Sequence, residues 1–197
     1  MARFGSVGSL PTGPGTRPVR NGAAIAEQVV PHLAEGSGAI VKVVDLRELA
    51  LPLLDEPKLP AMGDYQRDHT RAWSEIVNAS DAMVWLTPEY NGGFTAAAKN
   101  AIDSLFAEWA AKPTAVVGYG FGGGRRSAPM LATILGNVKA DLVGEPVLMP
   151  YADHAPGENG LVADPAAMIA PYADDLRTAG RALADRITQR AEQQPAA

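Results

Sequence analysis

The chain has 197 residues, a length typical of one domain rather than two, since domains average about 150 residues. With 47% hydrophobic and 20% charged residues, its composition is that of an ordinary globular protein. The absence of cysteine excludes disulfide scaffolds, thiol nucleophiles and cysteine-ligated metal centres. A net charge of −5 argues against nucleic-acid binding. No apolar run approaches the roughly 20 residues of a membrane span, so we expect a cytoplasmic protein.

Short apolar runs alternate with helical patterns along the chain, which predicts a parallel sheet covered by helices on both faces. Strands are expected at residues 39–45, 82–87 and 114–119, where continuous apolar runs indicate burial on both sides. A weaker run at 141–149 contains Pro146, which places it near an edge of the sheet. The sequence therefore predicts a single α/β domain that spans residues 1–197.

Helices are predicted where apolar residues recur at spacings of three and four. The last and longest is expected at residues 167–190, closing the outer face of the sheet, whereas 51–63 and 151–164 are rich in turn residues and predict loops. The stripes of the other helices consist of Ala26, Val29, Val30 and Leu33; Trp73, Ile76 and Val77; Ala98, Ala101, Ile102, Leu105 and Trp109; and Met130, Leu131, Ile134 and Leu135.

Three segments lie where an open parallel sheet binds ligands, beyond the carboxyl ends of its strands. The first leads into the first helix and suits a phosphate. Thr16 offers a hydroxyl group, and Arg17 and Arg20 offer guanidinium groups. Asn21 can cap the helix, whose first amides favour an anion. Taken alone, the segment is explained more simply as a solvated turn rich in proline and glycine.

The second segment, Pro88-Glu89-Tyr90-Asn91-Gly92-Gly93, follows a predicted strand and precedes a helix expected to begin near Thr95. Its proline ends strand pairing, and its glycines let backbone amides approach the polar edge of a flat heteroaromatic ring. An ordinary turn followed by a surface helix explains the same residues. In that interpretation Glu89 pairs with an arginine, and Lys99, Asn100 and Asp103 cap or pair locally.

The third segment, residues 118–127, contains five glycines and also lies between a strand and a helix. Glycine at this density predicts a backbone that wraps around a ligand, with Tyr119 or Phe121 available for stacking. A dinucleotide fingerprint is excluded by position, because that motif belongs to the first strand and needs an acidic residue about 20 residues further on.

The three segments together resemble the NADPH-dependent FMN reductase family of flavodoxin-like proteins, which includes quinone, azo-dye and chromate reductases. The resemblance extends from about residue 15 to residue 164. Its most specific elements are PEYN at 88–91 and KNAID at 99–103. Residues 16–22 resemble the family's phosphate loop, and 119–125 resemble the loop beside the flavin. The chain departs from the family at Pro14 and Gly15, where glycine and serine are usual, and at residues 93–98, which lack a usual proline and glycine.

This resemblance implies a doubly wound sandwich with five parallel strands in the order 2-1-3-4-5. It also implies FMN as cofactor, NADPH or NADH as electron donor, and a quinone, azo compound, free flavin or other small molecule as acceptor. The flavin carries the chemistry, so no catalytic side chain or metal is expected, and the chain is expected to form a homodimer or homotetramer. The implied cofactor-binding residues are Thr16, Arg17, Arg20 and Asn21 at the phosphate, Pro88, Glu89, Tyr90, Asn91 and Gly92 at the ring, and Gly120, Phe121 and Gly122 on its other side. The alternative is a non-catalytic scaffold that has lost FMN through its altered first loop.

Overall fold

The computed structural model describes residues 3–4, 20–151, 157 and 160–193. The strands of this described part are β1 (Arg3–Phe4), β2 (Ile40–Val41), β3 (Met83–Pro88), β4 (Pro113–Gly120), β5 (Asp141–Leu142) and β6 (Val147–Pro150). Its α-helices are α1 (Asn21–Ser37), α2 (Leu46–Leu49), α3 (Asp68–Asn78), α4 (Ala96–Asp103), α5 (Ser127–Asn137), α6 (Pro165–Ile169) and α7 (Ala173–Gln193).

All the described ladders between these strands are parallel. β1 pairs with β2, and β3 pairs with β4 along its whole length, from Met83 opposite Thr114 to Pro88 opposite Tyr119. β5 and then β6 pair with the other side of β4, so they form one strand position interrupted around Pro146. This confirms the predicted break in the weakest strand. Both ladders are compatible with the order 2-1-3-4-5, and the contact between β1 and β3 that would join them stays a prediction.

Helices cover both faces of the sheet, as the sequence predicts. On β3, Val84 and Leu86 point into a core formed with α1, α6 and α7. Met83 and Trp85 alternate with them and point into a second core formed with α3, α4 and α5. Because successive side chains of a strand face opposite ways, a strand between two helical layers is apolar throughout.

Glycines bring α1 and α7 into backbone contact on the first face. A Cβ built on Gly180 would lie 2.5 Å from the carbonyl oxygen of Leu33, and one built on Gly36 would lie 2.1 Å from that of Arg177. Neither position can hold a larger residue unless the helices separate. The contact fixes α7 over the sheet, in the covering position expected for the last helix.

Three fully buried tryptophans fill the second core. The ring centroids of Trp73 and Trp109 are 6.0 Å apart, and those of Trp85 and Trp109 are 5.8 Å apart. The helix predicted to reach Trp109 ends at Asp103, and a 3-10 turn at Ala107–Trp109 follows it. The apolar stripe of this region is nevertheless buried within the chain, so an intrachain core accounts for it without a subunit contact.

Two predicted boundaries differ from the observed ones. The helix expected at 167–190 is divided into α6 and α7 by a 3-10 turn at Ala170–Tyr172 that contains Pro171, a residue without the amide that a continuous helix needs. In the described part of the chain, the strand expected at 39–45 comprises Ile40–Val41, which pair with Arg3–Phe4. No helix in the described part is both long enough and apolar enough to cross a membrane.

Candidate functional site

The candidate site lies at the carboxyl edge of the sheet, where the segments that follow β3, β4 and β6 meet. Of the predicted site residues, Thr16 and Arg17 lie outside the described part of the chain. The others are all described. The structure brings the second and third segments into direct contact, and it shows how each is held.

The segment after β3 is a tight turn. The amide of Tyr90 donates to the carbonyl oxygen of Gly93 at 2.9 Å, and the amide of Gly93 donates to that of Tyr90 at 3.0 Å. The two central residues have positive φ angles, 52° at Asn91 and 83° at Gly92. Two consecutive positive φ angles define a type I′ turn, for which asparagine followed by glycine is the preferred pair. The sequence therefore determines the shape of this turn locally.

This geometry leaves two backbone donors unused. The amides of Asn91 and Gly92 have no acceptor among the described residues, since the hydrogen bonds of the turn involve only Tyr90 and Gly93. Asn91 is exposed, and Gly92 is half-buried. The turn can therefore present two fixed amides to the polar edge of a ligand, as the sequence analysis expects.

The glycine loop, residues 120–126, follows β4 and is compact for reasons internal to the protein. Gly124 has φ 75°, and a Cβ built on it would lie 2.8 Å from the Cα of Gly118. A Cβ on Gly123 would lie 2.8 Å from the ring of Pro150. These two glycines allow the loop to fold against β4 and β6, and this packing accounts for them without a ligand. Gly120 and Gly122 meet no backbone atom this closely.

Glu89 joins the two segments. One oxygen of its carboxylate, Oε2, accepts a hydrogen bond of 2.9 Å from the backbone amide of Arg126, the residue that precedes α5. The Arg126 guanidinium lies over the turn, because a Cβ on Gly92 would be 3.2 Å from its Nη1. The structural pairing predicted for Glu89 thus involves the backbone of an arginine and holds the turn against the glycine loop.

Aromatic side chains surround this junction. Tyr90 and Phe121 are 49% and 72% exposed, and the ring of Phe121 lies 5.3 Å from that of half-buried Tyr151 in a tilted arrangement. Beneath them, burial raises the pKa of Tyr119 well above its ordinary value, and the neighbouring phenols of Tyr90 and Tyr151 raise it further. Tyr119 is therefore a neutral, apolar support at physiological pH. Tyr151, which the sequence places only in a loop, joins this cluster through its contact with Phe121.

The start of α1 differs from the prediction. Asn21 does not cap the helix, because it is the first helical residue and Arg20 holds the cap position without a side-chain bond. The Asn21 side chain instead accepts a 2.7 Å hydrogen bond from the amide of Val162. Arg20 pairs with Asp45 through a 2.5 Å contact between Nη2 and Oδ2, which ties the start of α1 to the residue before α2. Whether these residues also hold a phosphate stays a prediction.

The KNAID residues on α4 have the local roles that the sequence analysis favoured. Lys99 and Asp103 form an ion pair one helical turn apart, with 2.5 Å between Nζ and Oδ2. Thr95 caps the helix by accepting a bond from the amide of Ala98. Asn100 donates to the carbonyl oxygen of Pro52 and accepts from the amide of Leu54, at 2.8 and 2.9 Å. The motif therefore stabilises the surroundings of the site through these local contacts.

Comparisons with known proteins point to the family that the sequence motifs at this edge of the sheet resemble. A family model described as NADPH-dependent FMN reductase matches residues 14–154. The chain belongs to this family.

Two fungal members of the NADPH-dependent FMN reductase family are 44% identical to the chain where they align. The NAD(P)H-dependent FMN reductase LOT6 of Saccharomyces cerevisiae matches over 110 residues, which are 53% of this chain and 58% of that protein. A Schizosaccharomyces pombe protein, NAD(P)H-dependent FMN reductase C4B3.06c, matches over 98 residues, which are 49% of each chain. The chain thus spans about half the length of these curated relatives.

Solved structures support the same assignment of the fold. FerB, a flavoenzyme NAD(P)H:(acceptor) oxidoreductase from Paracoccus denitrificans, is 25% identical and has a TM-score of 0.61 over 84% of this chain and 89% of its own. An oxidoreductase from Corynebacterium diphtheriae has a TM-score of 0.64 over 96% and 98% of the two chains, and its 20% identity supports the fold alone. The chain accordingly has the flavodoxin-like α/β fold of the NADPH-dependent FMN reductase family.

Proposed function

We propose that this chain is an NAD(P)H-dependent oxidoreductase that binds FMN at the carboxyl edge of its sheet and reduces a quinone, azo compound, free flavin or other small acceptor. The observation that carries the proposal is the type I′ turn, whose amides at Asn91 and Gly92 are unused and lie beside the exposed aromatic side chains. It belongs to the motif by which the chain resembles its family most specifically.

The residues of the junction fit a flat, polar-edged ring. The amides of Asn91 and Gly92 would donate to the oxygen and nitrogen atoms along that edge, and such donors stabilise negative charge on a reduced ring. Gly120 and Gly122 carry no side chain that would block its approach, and Phe121 provides apolar cover. FMN supplies hydride and electron transfer when it is bound, so the chain needs to bind, orient and exclude water rather than to provide an acid or base.

The phosphate of FMN is assigned to the segment before α1. Thr16 and Arg17 would bind it directly, and the first amides of α1 would add the partial positive charge of a helix terminus. Arg20 and Asn21 are already engaged with Asp45 and Val162, so their contribution is to hold the start of α1 in place.

Self-association is part of the same proposal, with a homodimer or homotetramer as the expected state. It is supported by apolar side chains exposed together between α2 and α3, where Leu53 is 81%, Leu59 71% and Met62 66% exposed. Large apolar groups concentrated in one segment are typical of a protein contact rather than of a solvated loop.

Titration with FMN tests the function. We expect the purified protein to quench FMN fluorescence on binding, and the complex to oxidise NADPH when a benzoquinone is present. Gly92→Ala should weaken FMN binding, because Gly92 has φ 83° and a Cβ there would press on Arg126. Gly144→Ala is the matched control, since Gly144 has φ 70° but no atom within 4 Å of the added Cβ and lies between β5 and β6.

A wild-type protein that neither quenches FMN fluorescence nor oxidises NADPH would overturn the proposal and leave the non-catalytic scaffold. If both glycine variants weaken FMN binding equally, the turn at Asn91 and Gly92 has no special role in holding the ring.

A further inference from the structure

Two arginines of the glycine loop have no role in the function proposed so far. Arg125 and Arg126 are both exposed and lie directly before α5. Their side chains lie along the loop surface, because a Cβ on Gly122 would be 3.3 Å from Nε of Arg125 and one on Gly92 would be 3.2 Å from Nη1 of Arg126. The two guanidinium groups therefore border the junction of the two segments.

Neither guanidinium has an ion-pair partner in the described part of the chain. Other basic side chains near the site are paired, Arg20 with Asp45 and Lys99 with Asp103. The acid beside them is Glu89, whose Oε2 already accepts from the Arg126 backbone amide. Two exposed arginines without an ion pair in the described part of the chain place positive charge beside the junction, on a chain whose net charge is −5. A local field of this kind attracts anions that the rest of the molecule repels.

We propose that Arg125 and Arg126 bind phosphate groups of the nicotinamide dinucleotide that donates electrons. This inference rests on the proposed function and extends it to the specificity for the donor. The planar fork of arginine matches the geometry of phosphate oxygens. The phosphate of FMN is assigned to the other side of the site, before α1, so these guanidinium groups remain available to the second ligand.

Direct binding of oxidised dinucleotides tests the proposal without turnover. NADP⁺ and NAD⁺ are titrated by calorimetry into FMN-treated wild-type protein, into Arg125→Gln, Arg126→Gln and the double variant, and into Arg181→Gln. Arg181 is the matched control, because it is an exposed arginine on α7 whose side chain bonds only to Thr178 among the described residues. Its replacement changes the net charge by the same amount as either single replacement.

We expect the double variant to bind NADP⁺ about tenfold or more weakly, as expected for the loss of two charge-assisted contacts. FMN binding should not change in Arg125→Gln, the circular dichroism spectrum should not change in any variant, and Arg181→Gln should bind NADP⁺ like the wild type. Added NaCl should weaken NADP⁺ binding more in the wild type than in the double variant. An effect on NADP⁺ alone assigns the arginines to the 2′-phosphate, and an equal effect on NAD⁺ assigns them to the pyrophosphate.

The proposal is overturned if the double variant binds NADP⁺ within twofold of the wild type, or if the wild type binds neither dinucleotide. FMN quenching measures the proposed function separately. A protein that fails to bind FMN but binds NADP⁺ through these arginines would contradict the function and retain this inference.

Discussion

Two irregular regions of this protein are held in place by different means. The site is formed by the turn after β3 and by the glycine loop, and both are fixed by backbone hydrogen bonds and by close glycine contacts. The segment at residues 50–67, between α2 and α3, is instead fixed by side chains, one from α4 and one from within the segment. Asn100 bonds to the backbone of Pro52 and Leu54, and Glu56 accepts from the amides of Gln66 and Arg67 at 2.8 and 2.9 Å.

These two ways of fixing a segment leave different groups exposed to solvent. A loop fixed by its own backbone can leave amides unused at defined positions, as at Asn91 and Gly92, which suits a small polar ligand. A segment fixed by side chains has its backbone satisfied at the bound positions and can turn other side chains outward, as it does with Leu59 and Met62. Such a surface suits a protein partner. The predictions below test this difference in order of decreasing effect on stability.

The largest effect is expected from Gly124→Ala in the glycine loop. The substitution combines a positive φ of 75° with a Cβ placed 2.8 Å from the Cα of Gly118, which is backbone and cannot move aside. We expect a loss of about 3 kcal/mol in the free energy of unfolding, from strain and overpacking together. Urea denaturation measures it.

Gly63→Ala is the control in the segment at 50–67. Gly63 has a similar φ, 67°, but no atom lies within 4 Å of the added Cβ. Only the conformational cost remains, so we expect a loss of about 1 kcal/mol. Equal losses in the two variants would show that close packing does not hold the glycine loop.

Asn100→Ala should release the segment at 50–67 while leaving the site intact. It removes a donor to Pro52 and an acceptor for Leu54, and water can replace both because these residues are exposed. We expect a loss of about 1–2 kcal/mol and faster proteolysis within residues 51–63. Asn78→Ala, which loses only a 3.2 Å bond to Ser74, should show neither change. Slower FMN binding in Asn100→Ala alone would indicate that the two regions are coupled.

The sequence predicts those parts of the fold that depend on local patterns. The strands in the middle of the sheet, β3 and β4, were identified because burial on both faces makes them apolar throughout. The type I′ turn follows from Asn91 and Gly92 themselves. The break at Pro171 depends on a residue visible in the sequence, but the apolar stripe on either side of it predicts one continuous helix.

Long-range contacts could not be predicted in the same way. The bond from the Arg126 amide to Glu89 spans 37 residues, and the bond from Val162 to Asn21 spans 141. Nothing in the local sequence of Asn21 distinguishes a helix cap from this distant contact. The density of glycine at 118–127 indicates a loop around a ligand, because the close neighbours of Gly123 and Gly124, Pro150 and Gly118, become apparent only when the sheet is assembled.

Tyr65 provides a pH-dependent test of the segment at 50–67. Its hydroxyl donates to Glu108 at 2.8 Å, and burial, followed by this bond and the charge of Glu108, raises its pKa above the ordinary value. The folded state therefore keeps the proton that the unfolded state loses near pH 10, so the stabilisation is complete below about pH 10 and is lost as the pH rises further.

Tyr65→Phe should lower stability by about 1 kcal/mol at neutral pH and should reduce the alkaline decline in the free energy of unfolding. The decline should not vanish, because burial also raises the pKa values of Tyr119 and Tyr151. Ser74→Ala removes the second side-chain bond to Glu108, 2.6 Å long, without removing a phenol. It should lower stability and leave the alkaline slope unchanged, and a slope reduced as much as in Tyr65→Phe would contradict the assignment of the titration to the Tyr65 phenol.

The smallest effect on stability is expected from Phe121→Ala, and it separates the functions of the two regions most directly. Phe121 is 72% exposed and Leu59 is 71% exposed, so either truncation should change the free energy of unfolding by no more than about 0.5 kcal/mol. Phe121 lies at the proposed flavin site, and loss of its ring should weaken FMN binding about fivefold. Leu59→Ala should leave FMN affinity unchanged and should shift the self-association equilibrium measured by sedimentation. If Phe121→Ala altered self-association and Leu59→Ala altered FMN affinity, the roles assigned to the two regions would be reversed. A difference in stability would not explain that result, because the two side chains are equally exposed.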